Sequence, residues 1–182
     1  MTKIPIIDLS LLHNDNIESK QKIAKQIYQT CHEIGFIYVK YYNLSAKLIN
    51  QVFDYSKYLF DLPLDAKQNM AWSDEFSNQG YVGIEREKLN PNNPGDLKEA
   101  FNIVKLNNLP TSLSISPAIP SFYKACTEIA NMIFIAFSLA LELPEDFFTT
   151  NHNRQNHTLR LLHYPALKQQ PKPGQIRAGE HS

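Results

Sequence analysis

Six histidines are the side chains best equipped for chemistry here, since a neutral imidazole both carries protons near neutral pH and ligates metals. His152, His157 and His163 are spaced by five and six residues. That spacing suits neither a helix face nor a single strand face, so each reads as a surface or half-buried histidine. His13 and His32 are equally ordinary by context. His181 is different only in position: it is next to last, in the stretch GQIRAGEHS (Gly174 to Ser182). Cys31 and Cys126 are far apart and each sits in a helical pattern, so both read as small buried apolar residues of a reducing compartment.

Periodicity supplies the elements that must position these groups. IPIIDLS near the start reads as a short edge strand. Apolar residues at Ile17, Ile23, Ala24, Ile27, Cys31 and Ile34 have helical spacing, with Asn14 to Asn16 as N-cap candidates and Gly35 just past the end. Phe36 to Val39 reads as a strand, and Ser45 can cap a second helix ending before Pro63, with a further turn or two in LDAKQNM. Residues 72 to 96 collect Asn, Asp, Gly and Pro, which predicts loop with a short strand at GYVGI. LKEAFNIV reads as a strand. A long helix is expected over Ser121 to Glu142, and a short one in EDFFTTNH. TLRLLHY and QIRAGEH are the last strand candidates, separated by the turn-rich PALKQQPKPG. Strands thus accumulate at the end, and two of them cannot close a sheet. The pattern is that of the front of a larger fold, with an exposed strand edge.

Composition narrows the class. The chain has 182 residues, with 18 basic and 18 acidic side chains, so no net field favours nucleic acid or anionic lipid. A hydrophobic share of 43% supports a sizeable core. The N-terminus lacks an apolar signal region, and the most apolar run, Ile129 to Leu141, falls short of the roughly 20 residues a bilayer requires. That run is expected to be a buried helix, and the protein is expected to be cytoplasmic, with no membrane or nucleic-acid partner.

Seven stretches, in order, resemble the iron(II)- and 2-oxoglutarate-dependent oxygenases of the isopenicillin N synthase type. They are IPIIDLS, CHEIGFIYV, LFDLPLDAKQNM, QGYVGIERE, GDLKEAFNI, LRLLHYP and PGQIRAGEHS. The resemblance implies an α+β fold: helices packed on the first strands of a double-stranded β-helix, or jelly-roll. It divides the chain into an oxygenase N-terminal region (1–115), a long and a short helix lying on the barrel (116–157), and the start of the jelly-roll (158–182).

It also implies roles. His181 matches the first metal ligand of a His-x-Asp pair, with Ser182 as the x. The aspartate, the distal histidine and the arginine that grips 2-oxoglutarate do not follow within these residues. Two histidines and one carboxylate leave iron open positions for 2-oxoglutarate and O₂, and one imidazole alone cannot hold Fe(II) against water. Tyr164 matches a tyrosine whose hydroxyl commonly contacts 2-oxoglutarate. Arg160, four residues earlier on the same strand face, is the candidate substrate residue. Tyr81, Glu85 and Phe101 fall in segments that line the substrate mouth in relatives. The expected protein is therefore the N-terminal portion of an oxygenase of small organic molecules, using Fe(II) and 2-oxoglutarate. By itself it is expected to be catalytically incomplete, needing a complementing C-terminal half. The competing expectation is a non-catalytic module that pairs with a partner through its open strand edge.

Overall fold

The computed structural model describes residues 3–13, 16–40, 44–71, 78–106, 114–154, 156–167 and 169–179. The chain is α+β, as the sequence implies, and divides into two compact units. Residues 1–49 and 118–156 form the first, and residues 50–117 and 157–182 the second.

The first unit begins with β1 (Ile6–Asp8), followed by a 3-10 turn, Leu9–His13. Helix α1 (Ile17–Glu33) starts at Asn16, whose side-chain oxygen accepts from the backbone N–H of Glu18 (2.9 Å) and Ser19 (3.2 Å). Two of the N–H groups that a helix start leaves free are thereby satisfied. Gly35, just past the helix end, has φ of 79°, a conformation glycine adopts without penalty. The chain returns as β2 (Tyr38–Lys40), parallel to β1 with Ile6 opposite Tyr38. Helix α4 (Ala118–Ala140) packs on α1, and α5 (Phe147–Asn151) packs on α4. Ile7, Leu9, Leu12, Ile23, Ile27 and Ala136 form the core. Lys20 of α1 donates to Glu145 at 2.6 Å, tying α1 to the segment between α4 and α5.

Helix α4 departs from expectation twice. It starts at Ala118 rather than Ser121, because Pro120 sits in the first turn, where no N–H is needed. It is also not a buried helix: Ala118, Ile119, Ala136 and Ser138 are buried, and most other apolar positions are only half-covered. With 23 residues it is long and apolar enough to cross a membrane by length and composition alone, which the thirteen-residue run in the sequence did not reveal. Lys124 and Glu128 lie within it.

Helix α2 (Ala46–Asp61) starts with the Ser45 hydroxyl accepting from Leu48 N–H at 3.2 Å and runs on into the second unit. There it precedes α3 (Leu64–Gln68) and the antiparallel sheet β3 (Gly80–Val82), β4 (Glu99–Ile103) and β5 (Leu159–His163), in that spatial order. All five residues of β4 are buried, including Glu99 and Asn102. The register sets Glu99 opposite His163 and Asn102 opposite Arg160. Between β3 and β4 the chain folds back so closely that a Cβ on Gly95 would meet the Glu85 carbonyl oxygen at 2.1 Å. Glu85 itself has φ of 65°.

The described part of QIRAGEH, Gln175 to Gly179, does not form the expected strand. It is irregular, with a bend at Arg177 and Ala178, and the remainder lies outside the described residues. A ladder needs repeated backbone pairing. A cross-segment backbone bond does reach this stretch, from Leu97 N–H to the Ile176 carbonyl (3.0 Å).

Candidate functional site

Glu99 is the centre of the second unit's polar chemistry. It is 3% exposed and accepts three side-chain hydrogen bonds. Lys67 Nζ donates to Oε2 at 2.9 Å, the Tyr81 hydroxyl donates to Oε2 at 2.5 Å, and His163 Nδ1 contacts Oε1 at 2.7 Å. Lys67 also donates to the Phe60 carbonyl at 2.9 Å, which fixes α3 against the end of α2. Burial works to raise the Glu99 carboxyl, but the hydrogen bonds from Tyr81, Lys67 and His163 outweigh it and leave it below the usual carboxylate range. Burial, followed by the bond to Glu99, pushes the Tyr81 hydroxyl well above its ordinary value. The cluster is therefore an ionised carboxylate held by three donors.

These residues form one wall of a cavity of about 1040 Å³, at the large end of small-molecule sites. The imidazole of His163 stacks on Phe60, ring centroids 5.2 Å apart. A second wall is polar: Lys172 donates to Glu85 at 2.9 Å, and Gln175 Nε2 donates to Glu85 at 2.6 Å and to the Gly95 carbonyl at 3.0 Å. The bonds from Gln175 and Lys172 hold the Glu85 carboxyl below its ordinary value.

The residues singled out in the sequence are distributed differently. Arg160, on β5, donates to Glu87 at 2.5 Å and does not line the cavity. Tyr164 follows β5 directly, is 44% exposed and does not line it either. His181 lies outside the described residues. Tyr81 and Glu85 do line the cavity, whereas Phe101 is wholly buried in the sheet. The sequence did not single out Glu99, Lys67 or the pairing of His163. The available signal was an acidic residue inside an otherwise apolar strand, which demands a buried partner. Cys31 and Cys126 are free thiols and half-buried rather than buried, and burial pushes the Cys126 thiol up.

Residues 4–118 match the protein family described as "non-haem dioxygenase in morphine synthesis N-terminal". The chain belongs to the non-haem Fe(II)/2-oxoglutarate oxygenases. The 1-aminocyclopropane-1-carboxylate oxidase of Dictyostelium discoideum is 29% identical over 189 residues, covering 91% of this chain and 50% of that protein. The 2-oxoglutarate-dependent dioxygenase htyE of Aspergillus rugulosus is 25% identical, covering 98% of this chain and 61% of that one. Among solved structures, a full-length Neurospora crassa protein in complex with alpha-KG superposes with a TM-score of 0.81 at 28% identity, covering 98% of this chain and 60% of that one. This oxygenase chain thus spans about half to three-fifths of the length of the relatives it matches.

Proposed function

We propose that these 182 residues are the N-terminal portion of an oxygenase that hydroxylates, desaturates or cyclises a small organic molecule. The observation that carries this reading is the family match over residues 4–118. Relatives are named as 2-oxoglutarate-Fe(II) oxidoreductases, and the Neurospora protein binds alpha-KG together with thymine, so Fe(II) and 2-oxoglutarate are the cofactors assigned to the whole protein. Tyr164 is assigned to 2-oxoglutarate, Arg160 to the substrate and His181 to the metal. Arg160 must exchange its Glu87 partner to reach a substrate.

The described residues do not fit a ferrous ion by themselves: no three of their His, Cys, Asp or Glu side chains gather into a metal-binding group. A two-histidine, one-carboxylate set requires more than His181. These residues alone are therefore expected to be catalytically incomplete. With Fe(II), ascorbate and 2-oxoglutarate, the purified chain should release no succinate above a metal-free control; release would overturn that reading. Supplying a C-terminal half of the family should restore turnover. Tyr164→Phe should then raise the KM for 2-oxoglutarate about tenfold, the equivalent of one hydrogen bond. An unchanged KM would remove Tyr164 from the cosubstrate site.

The outer edge of β5 favours a second reading, since among the described residues no strand pairs with it. A non-catalytic module would use that edge for strand addition. A monodisperse complex trapped by cross-linking through β5, without turnover, would support this over the oxygenase.

A further inference from the structure

The cavity beside Glu99 has a chemistry of its own, on the opposite side of the sheet from the assigned substrate residue. Glu99 and His163 are directly opposed across β4 and β5, and both line it. Strand alternation places Arg160 and Leu162 on the reverse face, and neither lines it. We propose that this cavity is a separate binding site for an uncharged aromatic or heteroaromatic molecule bearing a hydroxyl or N–H donor. His163 Nε2 is the acceptor that reads that donor. This inference does not depend on the oxygenase reading.

The tautomer follows from the partner. Glu99 is an ionised carboxylate and can only accept, so His163 Nδ1 carries the proton in their 2.7 Å contact. In the neutral imidazole the ring's remaining nitrogen, Nε2, then offers a lone pair. Among the described residues it has no hydrogen-bond partner. The His163 side chain is 39% exposed where Glu99 is 3% exposed, so the imidazole is open on the side away from the carboxylate. A carboxylate behind an imidazole fixes both its orientation and its tautomer, and makes the outward nitrogen a better acceptor.

Shape and charge define the rest of the ligand. Phe60 and Tyr81 supply aromatic surface, and Leu64, Ile84 and Pro165 add apolar surface on the same lining. Among the described residues, three cations and three carboxylates line the cavity: Lys67, Arg86 and Lys172 against Asp61, Glu85 and Glu99. Lys67 is paired with Glu99, and Lys172 with Glu85. The formal charges of these six side chains sum to zero, so this lining carries no net charge that would favour an ionic ligand over a neutral one. A flat neutral ring with one donor satisfies both the apolar lining and the open acceptor.

The test uses two probes of nearly equal size, p-cresol and toluene, which differ in the hydroxyl donor. Each is titrated into the 182-residue chain carrying ¹⁵N-labelled histidine. Before ligand, His163 should show the Nδ1–H tautomer. p-Cresol should shift its Nε2 resonance saturably and bind about tenfold more tightly than toluene, the range expected for one hydrogen bond. His163→Phe keeps a ring beside Phe60 and should abolish the preference. His163→Gln offers both a donor for Glu99 and an acceptor for ligand, and should retain part of it. Equal affinities, no saturable shift at His163, or a preference that survives in His163→Phe would overturn the proposal. A cavity filled by another part of the protein would also give no shift, and would count against it.

Discussion

Glu99 holds the second unit's polar cluster together, because three donors converge on it away from water. Glu99→Gln removes the charge facing Lys67 and places an amide donor either against Lys67 and Tyr81 or against His163. Breaking one member of a buried ion pair costs about 3–5 kcal/mol, and the fall in unfolding free energy should be read by denaturant titration. A cost below about 1 kcal/mol would mean the pair is open to solvent. The acid limb follows from the sign of the shift. The folded-state carboxyl titrates below the ordinary value near 4.5, so the folded form binds fewer protons there. The stabilisation is complete above the unfolded value and is lost as pH falls through the folded one. Glu99→Gln should therefore flatten the acid limb of stability against pH; an unchanged limb would contradict the assignment. Tyr55 gives an opposite case. Among the described residues its buried hydroxyl has no partner, and burial, followed by neighbouring Tyr58, pushes its pKa up to about 12. Stability from keeping it neutral is present below pH 10 and lost as pH rises towards 12. Tyr55→Phe should be neutral or stabilising by up to about 1 kcal/mol at neutral pH, and should soften the alkaline loss. At this scale the sequence revealed little of the cavity. Glu99 and His163 are separated by 64 residues, and only the β4–β5 register brings them together. Histidine spacing along the chain carries no trace of that.

Elements are more legible, because their signals are local. Asn14 to Asn16 are recognisable as cap candidates by type and place, and the two backbone bonds of Asn16 show which of them serves. Asn16→Ala should cost about 1 kcal/mol of stability, while Asn16→Asp should cost little, since either oxygen can accept. Thermal unfolding of both variants checks this, and equal losses would contradict it. The strand pattern of LKEAFNIV and TLRLLHY survives into β4 and β5, because each pairs along its whole length with a neighbour. QIRAGEH carries a similar alternation but follows the turn-rich PALKQQPKPG. Gln175, its first residue, donates its backbone N–H to the Lys172 carbonyl in a local turn, and its side chain bonds to Glu85, Gly95 and the Lys172 N–H. Periodicity states what a strand could be; partners decide whether it is one. The incomplete burial of α4 has a related cause: hydrophobic runs report a preference for burial, not the presence of surface to satisfy it.

The whole molecule displays what that preference leaves over. In the first unit, Ile6 (60% exposed) lies opposite Tyr38 (60% exposed) in a sheet of two strands, with Phe36 (69% exposed) two residues before Tyr38. These are adjacent large apolar side chains beside strands whose outer edges pair with no other strand among the described residues. Scattered exposed hydrophobics are ordinary, but contiguous ones next to an open edge favour association. The formal net charge of zero adds no electrostatic repulsion to oppose it. The 182-residue chain by itself should therefore self-associate as its concentration rises through tens of micromolar, which sedimentation velocity at a series of dilutions measures. Replacing Phe36 and Tyr38 with serine and threonine should shift that onset upward several-fold. Each exposed aromatic that is removed withdraws apolar area worth about 25 cal/mol per Å² from the contact. A chain that remains monomeric at every concentration, with or without the two substitutions, would mean that this face is covered within the 182 residues themselves.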